Sequence, residues 1–148
     1  NGGFSLRSRR LIDALQDADI RETQPEDHVI CLDYHDLLVA RHGIRFAPVD
    51  VASRFAFELT PPKGSTFGFH GFFNFHLAMP DAELQAWLAG AERSVLLSMP
   101  GRRLLKNLIR AGRHESARRI LDVRASGNFK QRLDTFKLRC RLALRRLR

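Results

Sequence analysis

Residues 67–75 read FGFHGFFNF and mark the point at which the sequence changes character. Five of the 11 phenylalanines fall within this segment, which predicts a buried strand and turn with aromatic packing. His70 lies between Gly68 and Gly71, where a loop could present its imidazole to a ligand, although a single histidine is more often structural. Before this segment, helical patterns alternate with strand candidates, and after it the patterns are helical.

Two helices and two strands are predicted in the first part of the chain. Apolar residues recur on one face over residues 5–18, and Pro25 with its acidic neighbours begins a second helix that Gly43 ends. Residues 44–48 and the alternating residues 51–59 are strand candidates. These patterns indicate an α/β fold.

The second part of the chain is predicted to be helical. Asp81 is a candidate N-cap, and residues 102–111 and 115–123 form two helices joined by a glycine turn. After Gly127, a further helix carries apolar residues at steps of three or four, namely Phe129, Leu133, Phe136, Cys140, Leu144 and Leu147. We therefore divide the chain into residues 1–79 and an α-helical, Arg-rich extension over residues 80–148.

The charge is unevenly distributed along the chain. The chain has 148 residues and a net charge of +9, but residues 101–148 hold 16 Lys and Arg against 3 Asp and Glu. Residues 1–100 carry a net charge of −4, so the body is slightly acidic and the tail strongly basic. With 44% apolar residues, the composition excludes a disordered chain and a membrane bundle. The two cysteines lack a CxxC spacing, which argues against a disulfide scaffold or a zinc site.

The chain opens on Asn1, Gly2 and Gly3 without an initiator methionine. We expect it to be the C-terminal piece of a longer protein whose N-terminal part is missing. Consecutive glycines allow a ligand to approach the backbone closely, because no Cβ stands in the way. They are equally common in an ordinary turn before a helix, and both interpretations stay open.

The acidic pair Glu26 and Asp27 also has two interpretations. Acidic residues in a first helical turn interact favourably with the helix dipole, which needs no further function. A carboxylate at this position could instead act as a general base that takes the proton from a sugar hydroxyl. Composition alone does not separate these roles.

Several segments, taken in order, carry a resemblance to a known class of protein. They are NGGFSLRS at residues 1–8, PED at 25–27, RFAP at 45–48, ASRF at 52–55 and FGFHG at 67–71. The run resembles a domain, formerly of unknown function, found in candidate glycosyltransferases of bacteria and fungi. It also resembles the C-terminal half of GT-A-type (nucleotide-diphospho-sugar transferase) folds. The resemblance covers about the first half of the chain.

The resemblance implies a role for each matching residue. Asn1, Gly2 and Gly3 correspond to a glycine loop that borders the donor and acceptor site. Asp27 corresponds to the catalytic base of inverting enzymes, and Glu26 supports it or binds the acceptor. His70 corresponds to the last ligand of a divalent metal.

The implied activity is metal-dependent, inverting transfer of a sugar from a nucleotide-sugar donor to an acceptor hydroxyl on a glycan, lipid or protein. The cofactor would be Mn²⁺ or Mg²⁺. GT-A enzymes also need a DxD motif in an N-terminal half, and this chain has none in the right place, since Asp17-Ala18-Asp19 follows the glycine loop. We therefore expect the full-length protein to be the enzyme and this chain alone to be inactive.

The basic tail supports an alternative function as a non-catalytic binding module. An Arg-rich amphipathic helix can lie on an anionic membrane surface with Phe129, Leu133 and Phe136 inserted. The same charge could bind nucleic acid, although the interleaving of aromatic and basic residues is thin. A helix packed on the body with a solvated basic face is the third alternative. We expect a cytoplasmic location. The basic tail suggests that the protein could also attach peripherally to the membrane.

Overall fold

A computed structural model describes residues 4–146 of the chain. The chain divides into two compact units, Asn1–His70 and Gly71–Arg148, here called unit 1 and unit 2. Helices predominate, and the described residues contain one two-stranded parallel sheet, so the fold combines helix with a small amount of strand. The sequence-based domain boundary after residue 79 stays a prediction. Among the helices within residues 4–146, none has both the length and the apolar character needed to cross a bilayer.

Unit 1 begins with α1, Arg9–Ala14, which is shorter than the helix predicted over residues 5–18. The side chain of Ser8 caps α1 by accepting a hydrogen bond from the backbone N–H of Leu11 at 3.1 Å. Beyond the helix, the backbone N–H groups of Gln16 and Asp17 donate to Asp13 and Ala14 in a turn, and the carboxylate of Asp17 accepts the backbone N–H of Asp19 at 3.0 Å. The predicted helix is therefore shortened by a side-chain cap at its start and by a turn at its end.

The second predicted helix is interrupted. α2 covers Glu26–His28, a π-helical turn covers Val29–Asp33, and α3 covers His35–Ala40. Gly43 has a φ of +58° and follows α3 as an αL cap, in which its N–H donates to the carbonyl of Val39, and the N–H of Ile44 donates to the carbonyl of Leu38. The predicted glycine stop is confirmed. The buried residues of unit 1 are mainly Leu11, Ala14, Ile30, Leu38 and Ile44.

The strand predictions in unit 1 are largely wrong. Residues 44–48 are not in a strand, and Val49–Phe55 form helix α4 instead. Pro48 precedes this helix with extended backbone and accepts the first helical hydrogen bond from Ala52, so the alternation of apolar residues does not decide the local structure. Only β1, Ala56–Phe57, is extended, and it pairs in parallel with β2, Gly68–Phe69.

The segment FGFHGFFNF is shared between the two units. Phe67 is 79% exposed and Phe69 is half-buried in β2, whereas Phe73 is buried in the core of unit 2. The predicted buried strand with aromatic packing is therefore correct only in part. Gly71 adopts a φ of +81°, and a 3₁₀ turn, Phe72–Asn74, follows it.

Unit 2 is a helical array. Its helices are α5 (Phe75–Ala78), α6 (Asp81–Gly90), α7 (Arg93–Leu97), α8 (Met99–Arg110), α9 (His114–Ala125) and α10 (Phe129–Arg146). The predicted pair of helices and the helix after Gly127 are confirmed. Helices α8, α9 and α10 pack on one another around a leucine-rich core.

Polar side chains fix the ends and the register of these helices. The guanidinium of Arg124, which is 3% exposed, donates to the carbonyls of Leu96 and Leu97 at 3.1 and 3.0 Å and so satisfies the end of α7. Asp134 on α10 accepts a hydrogen bond from Arg102 on α8 at 2.5 Å. This pair lies on the side of α10 that carries the buried Thr135, Leu138 and Leu142.

Candidate functional site

The acidic element lies at the start of α2, as the sequence indicates. Pro25 is the N-cap residue, and Glu26 and Asp27 occupy the first turn. Asp27 is half-buried, and its Oδ1 accepts the backbone N–H of His28 at 3.1 Å. Both carboxylates therefore lie where the helix dipole favours a negative charge. This position is compatible with a purely structural role and with a role as general base.

Glu26 is held by Arg7, a residue that no pattern in the sequence links to it. Nη1 of Arg7 donates a short hydrogen bond to Oε1 of Glu26. This bond lowers the pKa of Glu26 and raises that of Arg7, because each charge stabilises the other. A carboxylate held ionised by an arginine accepts a proton poorly, so Glu26 is the weaker candidate for a general base.

The segment just after the glycines contacts a second part of unit 1. The ring of Phe4 stacks on Phe55 with centroids 5.4 Å apart and lies 6.2 Å from Phe67. A Cβ on Gly68 would approach Cε1 of Phe4 to 2.4 Å, so a side chain there would displace the ring. Residues 4–7 therefore contact the FGFHG segment through Phe4 and the acidic element through Arg7. Asn1, Gly2 and Gly3 lie outside the described residues.

His70 follows β2 directly, and Glu58 follows β1. Because parallel strands end at the same edge, these two side chains come together, with Nδ1 of His70 3.0 Å from Oε1 of Glu58. The backbone N–H of His70 also donates to the carbonyl of Phe57 at 2.9 Å. A carboxylate beside one ring nitrogen of a histidine is an arrangement common in metal sites and in acid–base sites.

Glu58 also lines an open cleft of about 1040 Å³ between α4 and the loop over residues 58–66. Charged side chains of both signs surround it, including Asp50, Arg54 and Lys63. The cleft is large enough for a sugar-sized or nucleotide-sized ligand. His70 contacts Glu58, which lines the cleft. The end of the sheet therefore carries the His70–Glu58 pair next to an open cleft.

Within residues 4–146, no group of three or more His, Cys, Asp or Glu side chains is arranged to hold a metal ion. His35 stacks on Phe46 with centroids 4.7 Å apart, and His42 lies 2.6 Å from Asp17. These two histidines serve separate contacts, His35 in α3 and His42 in the turn that follows it. The described residues alone therefore do not fit a complete divalent-metal site.

Asp17 and Asp19 match the letters of a DxD motif, but the guanidinium of Arg41 forms an ion pair with both carboxylates. Arg41 donates to Asp17 at 3.0 Å and to Asp19 at 2.7 Å. The backbone N–H of Asp19, together with His42 and Arg41, lowers the pKa of Asp17 to about 2. The cluster fastens the turn after α1 to the end of α3, which is a structural role.

Two functionally placed residues had only weak sequence signals. Arg7 lies within the NGGFSLRS run, but nothing in the sequence pairs it with Glu26, 19 positions away. Glu58 falls at the end of a predicted strand, and its contact with His70 depends on parallel pairing across a loop. Both contacts are long-range, and periodicity carries no information about them.

Comparison with known proteins gives one match. Residues 1–70 match a family model described as "Protein of unknown function (DUF5672)". The matched residues coincide with unit 1 and contain every site residue discussed above. No curated protein matches the chain, and no solved structure matches it.

Proposed function

We propose that residues 1–79 form the C-terminal part of a GT-A-like glycosyltransferase domain. The protein that contains this chain would transfer a sugar from a nucleotide-sugar donor to a hydroxyl of a glycan, lipid-linked or protein acceptor, in the cytoplasm. The reaction would invert the anomeric configuration. The proposal rests on the order of the sequence motifs and on one structural observation, the double contact made by residues 4–7.

That double contact links three of the motifs on which the resemblance depends. Phe4 packs against Gly68 in the FGFHG segment, and Arg7 binds Glu26 in the PED segment. Segments that serve one ligand site must lie close together, and motifs far apart in the sequence achieve this only through such tertiary contacts. The family match over the same residues supports treating them as one unit.

The two carboxylates receive different roles from their surroundings. Arg7 keeps Glu26 ionised, so Glu26 is suited to orient an acceptor hydroxyl by accepting its hydrogen bond. Asp27 is the proposed base, which takes the hydroxyl proton as the oxygen attacks the anomeric carbon. Arg7 is a positioning residue, because it acts through Glu26.

His70 would contribute one ligand to a site for Mn²⁺ or Mg²⁺, with Glu58 beside its ring. The remaining ligands would come from outside the described residues, in a nucleotide-binding half that supplies a DxD motif. Such a metal stabilises leaving-group charge on a diphosphate. We expect this chain alone to be inactive and the full-length protein to bind Mn²⁺. His70→Ala should weaken that binding, as measured by electron paramagnetic resonance.

The central test is Asp27→Asn in the full-length protein. Transfer from a panel of nucleoside-diphosphate sugars should fall by about a hundredfold or more, because the amide accepts no proton. Asp33→Asn is the matched control, since Asp33 lies exposed at the end of the same helical segment, and it should retain activity. Wild-type rates in Asp27→Asn, or retention of anomeric configuration in the product, would exclude the assigned base.

A second test addresses Arg7. Arg7→Met should lower transfer less than Asp27→Asn does, and the acid limb of the pH–rate profile should move to higher pH. The reason is that the pKa of Glu26 returns toward its ordinary value once its partner is removed. Arg9→Met removes a surface pair with Asp13 and serves as the control. An unchanged profile in Arg7→Met would contradict the role given to Glu26.

A further inference from the structure

Helix α10 has two apolar faces, and the sequence pattern identified the one that the protein leaves exposed. The helix packs on the other helices of unit 2 through Thr135, Leu138 and Leu142, which are 2%, 2% and 5% exposed. The predicted apolar line lies on the opposite side of the helix, since its members are about half a turn from Leu138 at 100° per residue. Its described apolar members are Phe129 (78% exposed), Leu133 (48%), Phe136 (65%), Leu144 (64%) and the exposed Cys140.

Cations flank this exposed apolar stripe on both sides. At 100° per residue, Arg132 and Arg139 lie along one edge, and Lys130, Lys137 and Arg141 lie along the other. Arg139 is also paired with Asp122 at 2.7 Å. The single acidic residue of α10, Asp134, faces the helical array and pairs with Arg102. The outward half of the helix therefore carries only apolar and basic side chains at these positions.

We propose that this outward face of α10 binds the surface of an anionic lipid bilayer, with the helix lying parallel to the membrane plane. A central apolar stripe between two basic edges is the arrangement that inserts side chains between lipids while cations contact headgroups. Phe129, Leu133 and Phe136 would insert, and the flanking Lys and Arg would contact phosphate and carboxylate groups. This inference is independent of the proposed glycosyltransferase activity.

The charge pattern favours a lipid surface over other occupants. In a homodimer formed through this face, the basic edges of both copies would meet and repel each other. Nucleic acid would bind the cations through phosphates, but it would leave the apolar stripe between them without a partner. An anionic bilayer satisfies both parts of the face, because it offers negative headgroups beside an apolar interior.

The test uses the whole chain and sedimentation with large unilamellar vesicles. Phosphatidylcholine vesicles with about 30 mol% phosphatidylserine should bind it at least tenfold more tightly than pure phosphatidylcholine vesicles. Leu133→Asp/Phe136→Asp should weaken binding at least tenfold, because it removes inserted apolar surface. Leu77→Asp/Met99→Asp is the matched control with the same change in charge, since Leu77 and Met99 are 54% and 73% exposed in unit 2 but lie on α5 and α8.

The electrostatic part is tested with Lys130→Glu/Lys137→Glu. Each cation near an anionic surface contributes about fivefold to affinity, so the double variant should bind at least about 25-fold more weakly. Arg21→Glu/Arg45→Glu changes the net charge equally at exposed sites in unit 1 and should bind like the wild type. High salt should weaken the wild-type interaction.

The native cysteines provide a direct measurement of insertion. An environment-sensitive fluorophore on Cys140 in the Cys31→Ser chain should shift its emission to the blue when vesicles are added. The same label on Cys31 in the Cys140→Ser chain should not shift, although both cysteines are exposed. An unshifted Cys140 label, equal binding to neutral vesicles, or no vesicle binding would overturn the proposal. A homodimer that Leu133→Asp/Phe136→Asp dissociates would also overturn it. So would a wild-type chain that binds nucleic acid but not vesicles, if Leu133→Asp/Phe136→Asp still binds the nucleic acid.

Discussion

The two units of the chain are held together in different ways. Among the residues that the structure describes, five buried apolar side chains form the core of unit 1, whereas thirteen form that of unit 2. Unit 1 instead uses polar contacts between distant segments, such as Arg7 with Glu26, Arg41 with Asp17 and His70 with Glu58. The residues with candidate chemistry lie in the unit with the smaller core, where polar contacts fix the positions of the motifs.

The largest stability effect is expected from the core of unit 2. Leu104 is fully buried between helices, so Leu104→Ala should lower the free energy of unfolding by about 2–5 kcal/mol through lost burial and a residual cavity. Leu144→Ala makes the same chemical change at a site that is 64% exposed and should stay within about 0.5 kcal/mol. Urea denaturation of both variants measures the difference. Equal effects would contradict the view that packing holds unit 2.

A smaller effect is expected from the ion pair inside unit 2. Arg102 lowers the pKa of Asp134, chiefly through the hydrogen bond between them. Asp134→Asn removes the negative charge beside Arg102 and beside Arg124, which is 3% exposed and loses an anion 3.6 Å away. We expect a loss of about 1–3 kcal/mol in urea denaturation, because the remaining buried cation is less well compensated. A loss as large as that of Leu104→Ala would mean that charge and packing contribute equally in unit 2.

The smallest effect is confined to acid and concerns unit 1. The pKa of Asp17 is about 2, below its ordinary 3.8, so folding favours the ionised carboxylate. This contribution is complete above about pH 4 and is lost as the pH falls toward 2. Asp17→Asn should therefore flatten the decline in thermal stability of unit 1 over that acid range. Asp33→Asn, at an exposed site, should leave the decline unchanged, and identical acid profiles in both variants would contradict the role of Asp17.

The sequence predicted best where local rules decide the structure. The glycine stop at Gly43, the helix pair around Gly112 and the final helix after Gly127 all follow from capping residues and apolar periodicity. The strand over residues 51–59 was wrong because helix α4, which follows Pro48, occupies most of it. The positions of Glu26 and Asp27 in a first helical turn were predictable, whereas Arg7 and Glu58 were not.

By itself, the sequence determined the helical character of the tail, its charge and the order of the motifs in unit 1. Only the tertiary structure decided which face of α10 is buried. The more apolar line through Phe129 and Phe136 faces outward, whereas Leu138 and Leu142 are buried and Asp134 pairs with Arg102 of α8. Likewise, only tertiary contacts brought Arg7 to Glu26 and Glu58 to His70. The periodicity of apolar residues indicates which side chains share one face of a helix. Which face is buried depends on contacts with residues that are distant in the sequence.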